Sequence, residues 1–506
     1  MRTLQSQERH TEQTLIHSDI TGLRVIARLL SMLLAVLGTT MLLCIGWTLF
    51  YDEPQATQAF ILSISITLLS GAVLYAVGRN SRSTIYRREA LAVVGLGWII
   101  IGLYGALPYW LTNTLDNFAD AFFEATSGFT TTGATVINDV ESASRGLLFW
   151  RMTTHWLGGM GIIVLFTALF AQLGVGAKQL LRSEVPGPIT DALHPKIRET
   201  AMAMWKIYAA FTALLTLLLF LLGMSPFDAV CHSFATMATG GYSNYNSSIS
   251  YFNSVAIEMV ILVFMCMAGI NFTLYHQLLR GHWKSFVRNS ELRVYGGLIV
   301  AASALIALNT YEYHGENGWQ ALRYASFQAV SIITTTGFGT DDFDLYPSFS
   351  KLVLVCLMFI GGCAGSTAGG MKVSRIIVLW KMVYREIYLT FRPHTRVATR
   401  VGRVCVATDV SHSILVFAVA FFFILAGGSL FLTYLGLDLT TAATAVIACL
   451  GNIGPGLGRV GPTHNYADLP STAKVFLSFC MLLGRLELTT LLVLLMPEFW
   501  RRIVRQ

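Results

Sequence analysis

Four short segments of this chain share an order of residue types that could coordinate a cation. Each is a semi-polar stretch of about three helical turns that runs into a tight element containing glycine. Glycine permits the backbone angles that aim successive carbonyls inward, and a ring of such carbonyls can replace the hydration shell of an ion. The four segments end in "TTTGAT", "MATGGYSNYN", "TTTGFGTDDF" and "LGNIGPGLG".

These segments align on a glycine, and the residues before it define a candidate filter. A single motif of this kind in a membrane protein is usually a packing or turn signal. Four copies at equivalent positions favour four loops that meet around one cation path. The predicted filter residues are Thr131, Thr132 and Gly133 in the first copy, Ala238, Thr239 and Gly240 in the second, Thr335, Thr336 and Gly337 in the third, and Asn452, Ile453 and Gly454 in the fourth.

The surrounding sequence is that of an integral membrane protein. Of 506 residues, 54% are hydrophobic and 12% are charged, and the mean hydropathy is +0.60, which excludes a water-soluble protein with one core. A helix needs about 20 apolar residues to cross a bilayer. We predict an all-α polytopic membrane protein with about ten spans, at residues 25–49, 59–77, 90–111, 147–173, 201–222, 255–278, 294–308, 352–383, 414–435 and 475–495.

Charge in the connections predicts the orientation of the chain. Lysine and arginine cluster in alternate connections, which by the positive-inside rule face the cytoplasm together with both termini. The net charge of +7 is then a topology signal and does not favour nucleic-acid binding. The opposite connections are acidic, and Asp341, Asp342 and Asp344 directly follow the third filter segment. Negative charge at this outer mouth would raise the local cation concentration.

The four filter segments also define the organisation of the chain. Each belongs to a repeat of spanning helix, short re-entrant helix, glycine loop and spanning helix. Irregular backbone at membrane depth is tolerated only where protein buries it or a water-filled path meets it, so four loops imply a shared cavity. The predicted units are a polar, mobile cytoplasmic tail at 1–22, two extra spanning helices at 23–88, and pore repeats at 89–199, 200–293, 294–409 and 410–506.

A glycine-rich stretch, "GGCAGSTAGGMK", interrupts the last span of the third repeat. Each glycine in a helix interior costs about 1 kcal/mol relative to alanine, so we expect residues 361–371 to form an intramembrane loop that obstructs the path and acts as a gate. A close helix-packing stripe is the alternative, whereas a phosphate-binding loop would need a GK[ST] ending. The candidate gate glycines are Gly361, Gly362, Gly365, Gly369 and Gly370.

Arg485 is the outstanding charge within an apolar span. A charge there costs at least about 2.5 to 3.5 kcal/mol on insertion scales and normally faces a cavity or a partner. It either pairs with a buried acid from another helix or places a positive barrier beside the cation path. The eight cysteines show no CxxC spacing and the histidines no metal-ligand spacing, so neither a disulfide framework nor a metal cluster is predicted.

The quoted loop motifs, with "GGCAGSTAGGMKVSR" and "LLGRLELTTLL", resemble the membrane subunit of Trk-type potassium uptake systems, within the wider Trk, Ktr and HKT superfamily. The resemblance covers the chain from about residue 23 onward. It implies a subunit of the bacterial cytoplasmic (inner) membrane that binds and moves K⁺ through four membrane-pore-membrane units, with two extra N-terminal helices and without a covalent cofactor. It also implies the gate role of the glycine-rich loop.

The same resemblance implies partners that the residues themselves do not reveal. These are a second copy of the chain, giving a homodimer, and a cytosolic TrkA-like regulatory subunit through which a nucleotide, ATP or NAD, would act. Relatives with serine at the first filter glycine tend to conduct Na⁺, so Gly133 implies a preference for K⁺.

Two other classes of function are weighed against this one. A proton- or sodium-coupled K⁺ symporter would also use broken helices, but would more often show inverted repeats and intramembrane carboxylates. An intramembrane enzyme would need a nucleophile with a base, or metal ligands, inside the spans. No such constellation is evident, so we expect a protein that is not an enzyme; channel and coupled carrier remain undecided by sequence.

Overall fold

The computed structural model describes residues 2–81, 85–161, 197–395, 397–402, 404–486 and 488–503. This part of the chain is nearly all helical, which confirms the predicted all-α class. The helices are α1 (Arg2–Phe50), α2 (Pro54–Gly78), α3 (Arg87–Gly105), α4 (Leu107–Leu111), α5 (Phe118–Phe129), α6 (Arg145–Gly159), α7 (Ile197–Leu221), α8 (Pro226–Met237), α9 (Val255–Ala268), α10 (Phe272–Leu279), α11 (Trp283–Val287), α12 (Ser290–Asn309), α13 (Gly318–Ile333), α14 (Ser348–Ile360), α15 (Val373–Phe391), α16 (Thr408–Tyr434), α17 (Leu439–Leu450), α18 (Ser471–Arg485), α19 (Leu488–Leu494) and α20 (Pro497–Ile503).

Short elements complete the fold. A two-stranded antiparallel hairpin pairs β1 (Arg400–Val401) with β2 (Val404–Cys405). Three short 3₁₀ turns, at Ser248–Phe252, Phe343–Leu345 and Gly458–Val460, lie in the segments that follow three of the filter loops. The main apolar core joins α1 and α3 to the first, second and fourth repeats, and a second core lies mainly within the third repeat.

Six apolar helical segments in the described part of the chain are long enough to cross a membrane. They are Gly22–Phe50, Pro54–Gly78, Arg88–Leu111, Ala201–Leu221, Ser290–Asn309 and Thr408–Tyr434. Each corresponds to one of the predicted spans. Several apolar helices of this length make the protein a multi-pass membrane protein.

Of the other four predicted spans, three are interrupted, one of them at the glycine-rich stretch where a loop was predicted. Residues 255–278 form two helices, α9 and α10, that meet at 92°, since the Asn271 side chain caps α10 by accepting the N–H of Thr273. Residues 352–383 are non-helical from 361 to 372, and residues 475–495 break after α18. Hydropathy alone does not register such breaks, because the flanking residues remain apolar.

Two further predictions concern the span at 147–173 and the N-terminal tail. The predicted span 147–173 is helical as α6, and its part beyond residue 161 lies outside the described residues, as do the bases at 178–196. At the N-terminus, α1 begins at Arg2, so the polar segment that was expected to be a mobile tail is part of a helix.

Each short helix that leads into a glycine loop begins with a polar cap. A side-chain oxygen of the preceding residue accepts an N–H of the first turn, which satisfies one of the donors that a helix start leaves unpaired. The capping residues are Asn117 for α5, Ser225 for α8, Asn317 for α13 and Asp438 for α17. These four helices, called pore helices below, are therefore matching units.

The two N-terminal helices approach each other closely at Gly78. A Cβ atom on this residue would lie 2.6 Å from the backbone nitrogen of Arg28 and 2.8 Å from the carbonyl oxygen of Arg24. No flexible side chain can yield at this contact, because both atoms belong to the backbone of α1. The absence of a side chain at Gly78 therefore sets the separation of α1 and α2.

We predict that Gly78→Ala destabilises this helix pair by about 1–3 kcal/mol, as overpacking in a tight contact does. The midpoint of thermal unfolding of the purified protein in detergent should fall. Gly46→Ala in α1 is the matched control, since a Cβ there meets nothing within 4 Å. Equal midpoints for the two variants would contradict the close contact.

Candidate cation-coordinating site

The four loops after the pore helices have the same alternating backbone conformation. Two residues in each loop have positive φ, separated by one residue that does not. This alternation turns successive carbonyls toward the same side, which ordinary extended backbone does not do. The positive φ values are 55° at Thr131 and 80° at Gly133, 53° at Thr239 and 79° at Gly241, 56° at Thr335 and 81° at Gly337, and 54° at Asn452 and 97° at Gly454.

The predicted alignment of the second loop was wrong by one residue. Gly241, and not Gly240, has the positive φ of the other loop glycines, and Gly240 stands where the other loops have Thr132, Thr336 and Ile453. Ala238 has right-handed helical angles at the end of α8, so it precedes the loop. Two adjacent glycines in "ATGG" leave the register open in the sequence, and the backbone angles decide it.

A shared hydrogen bond confirms the corrected register. The N–H of the second loop residue donates to a carbonyl five residues earlier in the pore helix, the Schellman pattern that closes a helix around a left-handed residue. The bonds run from Thr132 to Ser127 at 2.9 Å, and from Gly240 to Ala235, Thr336 to Ser331 and Ile453 to Ala448 at 2.8 Å each.

The left-handed residue in this pattern is usually glycine, yet three of the loops have threonine there. A β-branched residue with positive φ costs on the order of 1–3 kcal/mol and persists at functional sites where the surroundings hold it. The strained residues are Thr131, Thr239 and Thr335, all fully buried.

The loop glycines join the four loops into a closed ring. Each lies against the carbonyl oxygen of the second residue of the next loop, so closely that a Cβ atom could not fit. The distances from the Cβ position to that oxygen are 2.2 Å from Gly133 to Gly240, 1.9 Å from Gly241 to Thr336, 2.1 Å from Gly337 to Ile453 and 2.6 Å from Gly454 to Thr132. The order around the ring is the order along the chain, and the fourth loop closes on the first.

At the inner end of the ring, two side-chain oxygens have no hydrogen-bond partner among the described residues. The chain descends along each pore helix and returns outward through the loop, so the first loop residue is innermost. Here the Thr131 Oγ1 and Asn452 Oδ1 atoms are buried without a hydrogen-bond partner. The C-terminal ends of the four pore helices add partial negative charge to the same region. This arrangement suits a cation.

The fourth loop departs from the symmetry of the other three. Its first residue is Asn452, whose amide donates to the Thr132 Oγ1 at 3.1 Å and to the Met481 carbonyl at 2.9 Å. The carbonyl of Gly454 accepts the Tyr466 hydroxyl at 2.7 Å. Asparagine therefore ties the fourth loop to the first, at the position where the other three loops have threonine.

Polar side chains behind the ring hold the segments that follow the first three loops, and sequence reasoning missed them. Nine residues before the loop glycine stand Glu124, His232 and Gln328. Glu124 accepts the N–H of Val136, and the Gln328 amide donates to the Asp341 carbonyl at 3.1 Å. A polar residue at one position of three pore helices was the available signal, and the repeat alignment could have found it.

The glycine-rich segment 361–372 packs directly below the ring. It is anchored on the bend between α9 and α10, where the Cys363 N–H donates to the Gly269 carbonyl at 2.9 Å. Closer to the ring, the Gly369 N–H donates to the Thr335 Oγ1 at 2.7 Å. This loop, called the intramembrane loop below, therefore contacts a filter residue itself.

Arg485 also lies below the ring, and it connects the fourth repeat to the third and the first. Its guanidinium donates to the carbonyl of Thr367 in the intramembrane loop at 2.9 Å, and to the carbonyls of Gly158 and Gly159 in the first repeat. These carbonyls accept hydrogen bonds from the guanidinium and hold it beneath the ring and against the intramembrane loop.

Two of the three outer aspartates connect the third repeat to the fourth, and the third aspartate bonds within its own repeat. Asp344 accepts the N–H of Gly458 at 3.1 Å, and Asp342 accepts the hydroxyl of Thr463 at 3.1 Å. Asp341 accepts the Tyr346 hydroxyl and lies 3.6 Å from the His314 imidazole. Burial lowers the pKa of His314, against the opposing effect of Asp341, which favours the neutral imidazole.

Among the described residues, no group of three or more histidine, cysteine or acidic side chains could hold a resident metal ion. All eight cysteines fall within this part of the chain as free thiols. The ring oxygens are therefore the principal cation ligands that the structure offers.

Re-entrant pore helices whose loops close one oxygen-lined ring inside a bundle of apolar helices define a multi-pass membrane protein built to handle cations. A sequence model described as "TrkH: Cation transport protein" matches residues 56–293 and 316–502. The chain belongs to this TrkH family of cation transport proteins.

The relatives support the same assignment over nearly the whole chain. The Trk system potassium uptake protein TrkH of Halomonas elongata is 39% identical over 491 residues, covering 95% of this chain and 100% of its own. The protein of that name from Escherichia coli K12 is 37% identical, covering 94% of this chain and 99% of its own. The crystal structure of the potassium transporter TrkH from Vibrio parahaemolyticus matches with a TM-score of 0.85 and 36% identity, over 94% of this chain and 99% of that one.

We predict that Gly241→Ala disrupts the ring, because its Cβ would lie 1.9 Å from the Thr336 carbonyl oxygen and its φ is +79°. Cation uptake into proteoliposomes should fall by about tenfold or more, which corresponds to about 1.4 kcal/mol. Gly339→Ala, in the third loop segment, is the control, since a Cβ there meets nothing within 4 Å. If Gly241→Ala transports as well as the control, the corrected register is wrong.

Proposed function

We propose that this protein takes up potassium ions across the bacterial cytoplasmic membrane through the ring of four loops. The observation that carries the proposal is the ring itself, in which four glycines each abut the carbonyl of the next loop. A closed ring presents carbonyls from all sides of one axis, which is what replacement of a hydration shell requires. Relatives named as potassium uptake proteins support K⁺ as the cargo.

The carbonyls of Thr132, Gly240, Thr336 and Ile453 would form the central layer of ligands. Their spacing is fixed by glycine contacts that permit little movement, and the buried Thr131 and Asn452 oxygens would extend the ligand set inward. The outer aspartates would raise the cation concentration at the entrance, an effect that weakens at high ionic strength.

The intramembrane loop and Arg485 would together close the path below the ring. The loop is held by hydrogen bonds to repeat two, to Thr335 and to Arg485, each worth about 0.5–1.5 kcal/mol net. A few bonds of this size can be exchanged during opening, whereas a packed helix cannot move so cheaply. The guanidinium charge would repel a cation until the loop and the arginine move together.

Regulation is part of the proposal. A cytosolic nucleotide-binding subunit would supply the energy for opening, with ATP or NAD acting through that subunit, and the membrane subunit would act as a homodimer. The basic stretch 372–403 continues directly from the intramembrane loop, so a partner docked there would act on the gate through α15. Both termini would lie in the cytoplasm, as the distribution of bases indicates.

Reconstitution tests the proposed cargo. In liposomes with an imposed K⁺ gradient, we predict that Rb⁺ or K⁺ enters in preference to Na⁺ and needs no proton gradient. Gly133→Ser should lower the Rb⁺ to Na⁺ uptake ratio by about tenfold, because its Cβ would displace the Gly240 carbonyl from 2.2 Å away.

Equal uptake of both ions by the unmodified protein would overturn K⁺ as the cargo. Flux that needs a proton gradient would instead establish the coupled symporter. An unchanged ratio in Gly133→Ser would count against this alignment of the filter.

A second set of variants tests the gate. Shortening the loop between Gly365 and Gly370, or Arg485→Ala, should raise basal K⁺ flux without any partner, because each removes part of the closure below the ring. Arg485→Lys keeps the charge and should remain near the unmodified flux. Fluxes are normalised to the amount of monodisperse protein, which size-exclusion chromatography measures. An Arg485→Ala protein that folds and transports no faster would show that the arginine is structural and not a barrier.

A further inference from the structure

A buried ion pair stands behind the first two loops of the ring. Glu124 on pore helix α5 and Arg151 on α6 are almost completely buried, and the Arg151 Nε lies 2.9 Å from the Glu124 Oε1. Removing two charges from water is costly unless further hydrogen bonds satisfy them. The partners that satisfy this pair are the segments that leave the ring.

The carboxylate of Glu124 holds the first of these segments. It accepts the N–H of Val136 at 2.9 Å and the hydroxyl of Thr135 at 3.0 and 3.1 Å. These residues follow Gly133 directly. The acid therefore fixes the outward course of loop one immediately after its ring glycine.

The guanidinium of Arg151 reaches the second segment as well. It donates to the Ser243 carbonyl at 3.2 Å, two residues after Gly241, and to the Thr135 Oγ1 at 3.2 Å. It also lies over the Tyr242 ring, 4.0 Å from the ring centre. One side chain thus contacts the segments that follow both ring glycines.

Tyr242 links Arg151 to the residues of the ring. Its hydroxyl donates to the Glu124 carbonyl at 2.9 Å, and its ring stacks on His155 at 4.1 Å. His155 donates from Nδ1 to the Gly128 carbonyl and accepts the Tyr242 N–H at Nε2. A Cβ on Gly240 would lie 2.3 Å from this imidazole, so the histidine directly supports a carbonyl-bearing ring residue.

We infer that Glu124 and Arg151 are positioning residues that set the distance between the first and second filter loops and thereby the ion selectivity of the ring. The inference rests on the proposed K⁺ filter. On the pore helices of the third and fourth loops, the side chains that hold these segments are neutral: Gln328 donates to the Asp341 carbonyl, Ser331 to the Phe338 carbonyl and Thr444 to the Leu457 carbonyl. The pore helix of the first loop instead supplies one member of a buried ion pair.

Selectivity of purified protein in liposomes tests the inference, because the Rb⁺ to Na⁺ uptake ratio in one vesicle sample does not depend on how much protein folds. Glu124→Gln should lower the ratio by about tenfold, since it leaves the Arg151 charge unpaired. Thr135→Val removes only the shared hydroxyl and should lower it by about two- to fivefold.

Asp120→Asn is the matched control. Asp120 lies one turn earlier on the same pore helix and pairs with Lys474 at 2.9 Å, so its ion pair joins α5 to α18 and not to the segments that leave the ring. The Rb⁺ to Na⁺ uptake ratio of this variant should stay within about twofold of that of the unmodified protein.

The outcomes separate this inference from the proposed function. No selectivity in the unmodified protein means that the filter proposal fails. A selective protein whose ratio is unchanged by both Glu124→Gln and Thr135→Val overturns the positioning role, as does an equal loss in Asp120→Asn. Should Glu124→Gln not fold, Thr135→Val, which keeps the ion pair, decides the question.

Discussion

The contact between a loop glycine and the carbonyl of the next loop is the constraint on which the rest of this structure depends. Backbone polar groups at membrane depth must be satisfied by protein or by a polar path, and four loops without regular structure would be unstable individually. Meeting in a ring, with Cβ positions 1.9 to 2.6 Å from the neighbouring oxygens, they exclude any side chain and fix each other. The strained threonines, the polar caps of the pore helices and the buried network behind the ring are all consistent with a structure that must hold these four contacts.

The elements below the ring differ from those around it in what holds them. Filter loops are held by the carbonyls of the next loop and by buried side chains, whereas the intramembrane loop bonds to groups from several elements, among them Gly269, Glu291, Thr335 and Arg485. Opening would require the intramembrane loop to exchange these partners while the ring contacts stay in place. The bond from Gly369 to Thr335 joins the two, so that movement of the loop would release a hydroxyl at the inner end of the filter.

Sequence reasoning reached the fold class from hydropathy, and it found the four loops because "TTTG" in the first and third aligns with glycines after matching short segments in the second and fourth. It misplaced the second loop by one residue, since only φ distinguishes Gly240 from Gly241. It predicted the loop that follows Ile360 from its glycines, but it missed the bend at Asn271, because apolar residues continue on both sides of that break. The Glu124–Arg151 pair escaped notice because its members lie 27 residues apart on different helices, and neither interrupts the pattern strongly enough to suggest a partner.

The central claim is that the four carbonyls after the strained residues surround one cation. Anomalous diffraction from crystals grown with Rb⁺ in place of K⁺ tests it most directly. The account predicts a peak on the axis of the ring, within coordination distance of the Thr132, Gly240, Thr336 and Ile453 carbonyl oxygens. A transport-competent protein whose Rb⁺ peaks all lie away from this ring would contradict it.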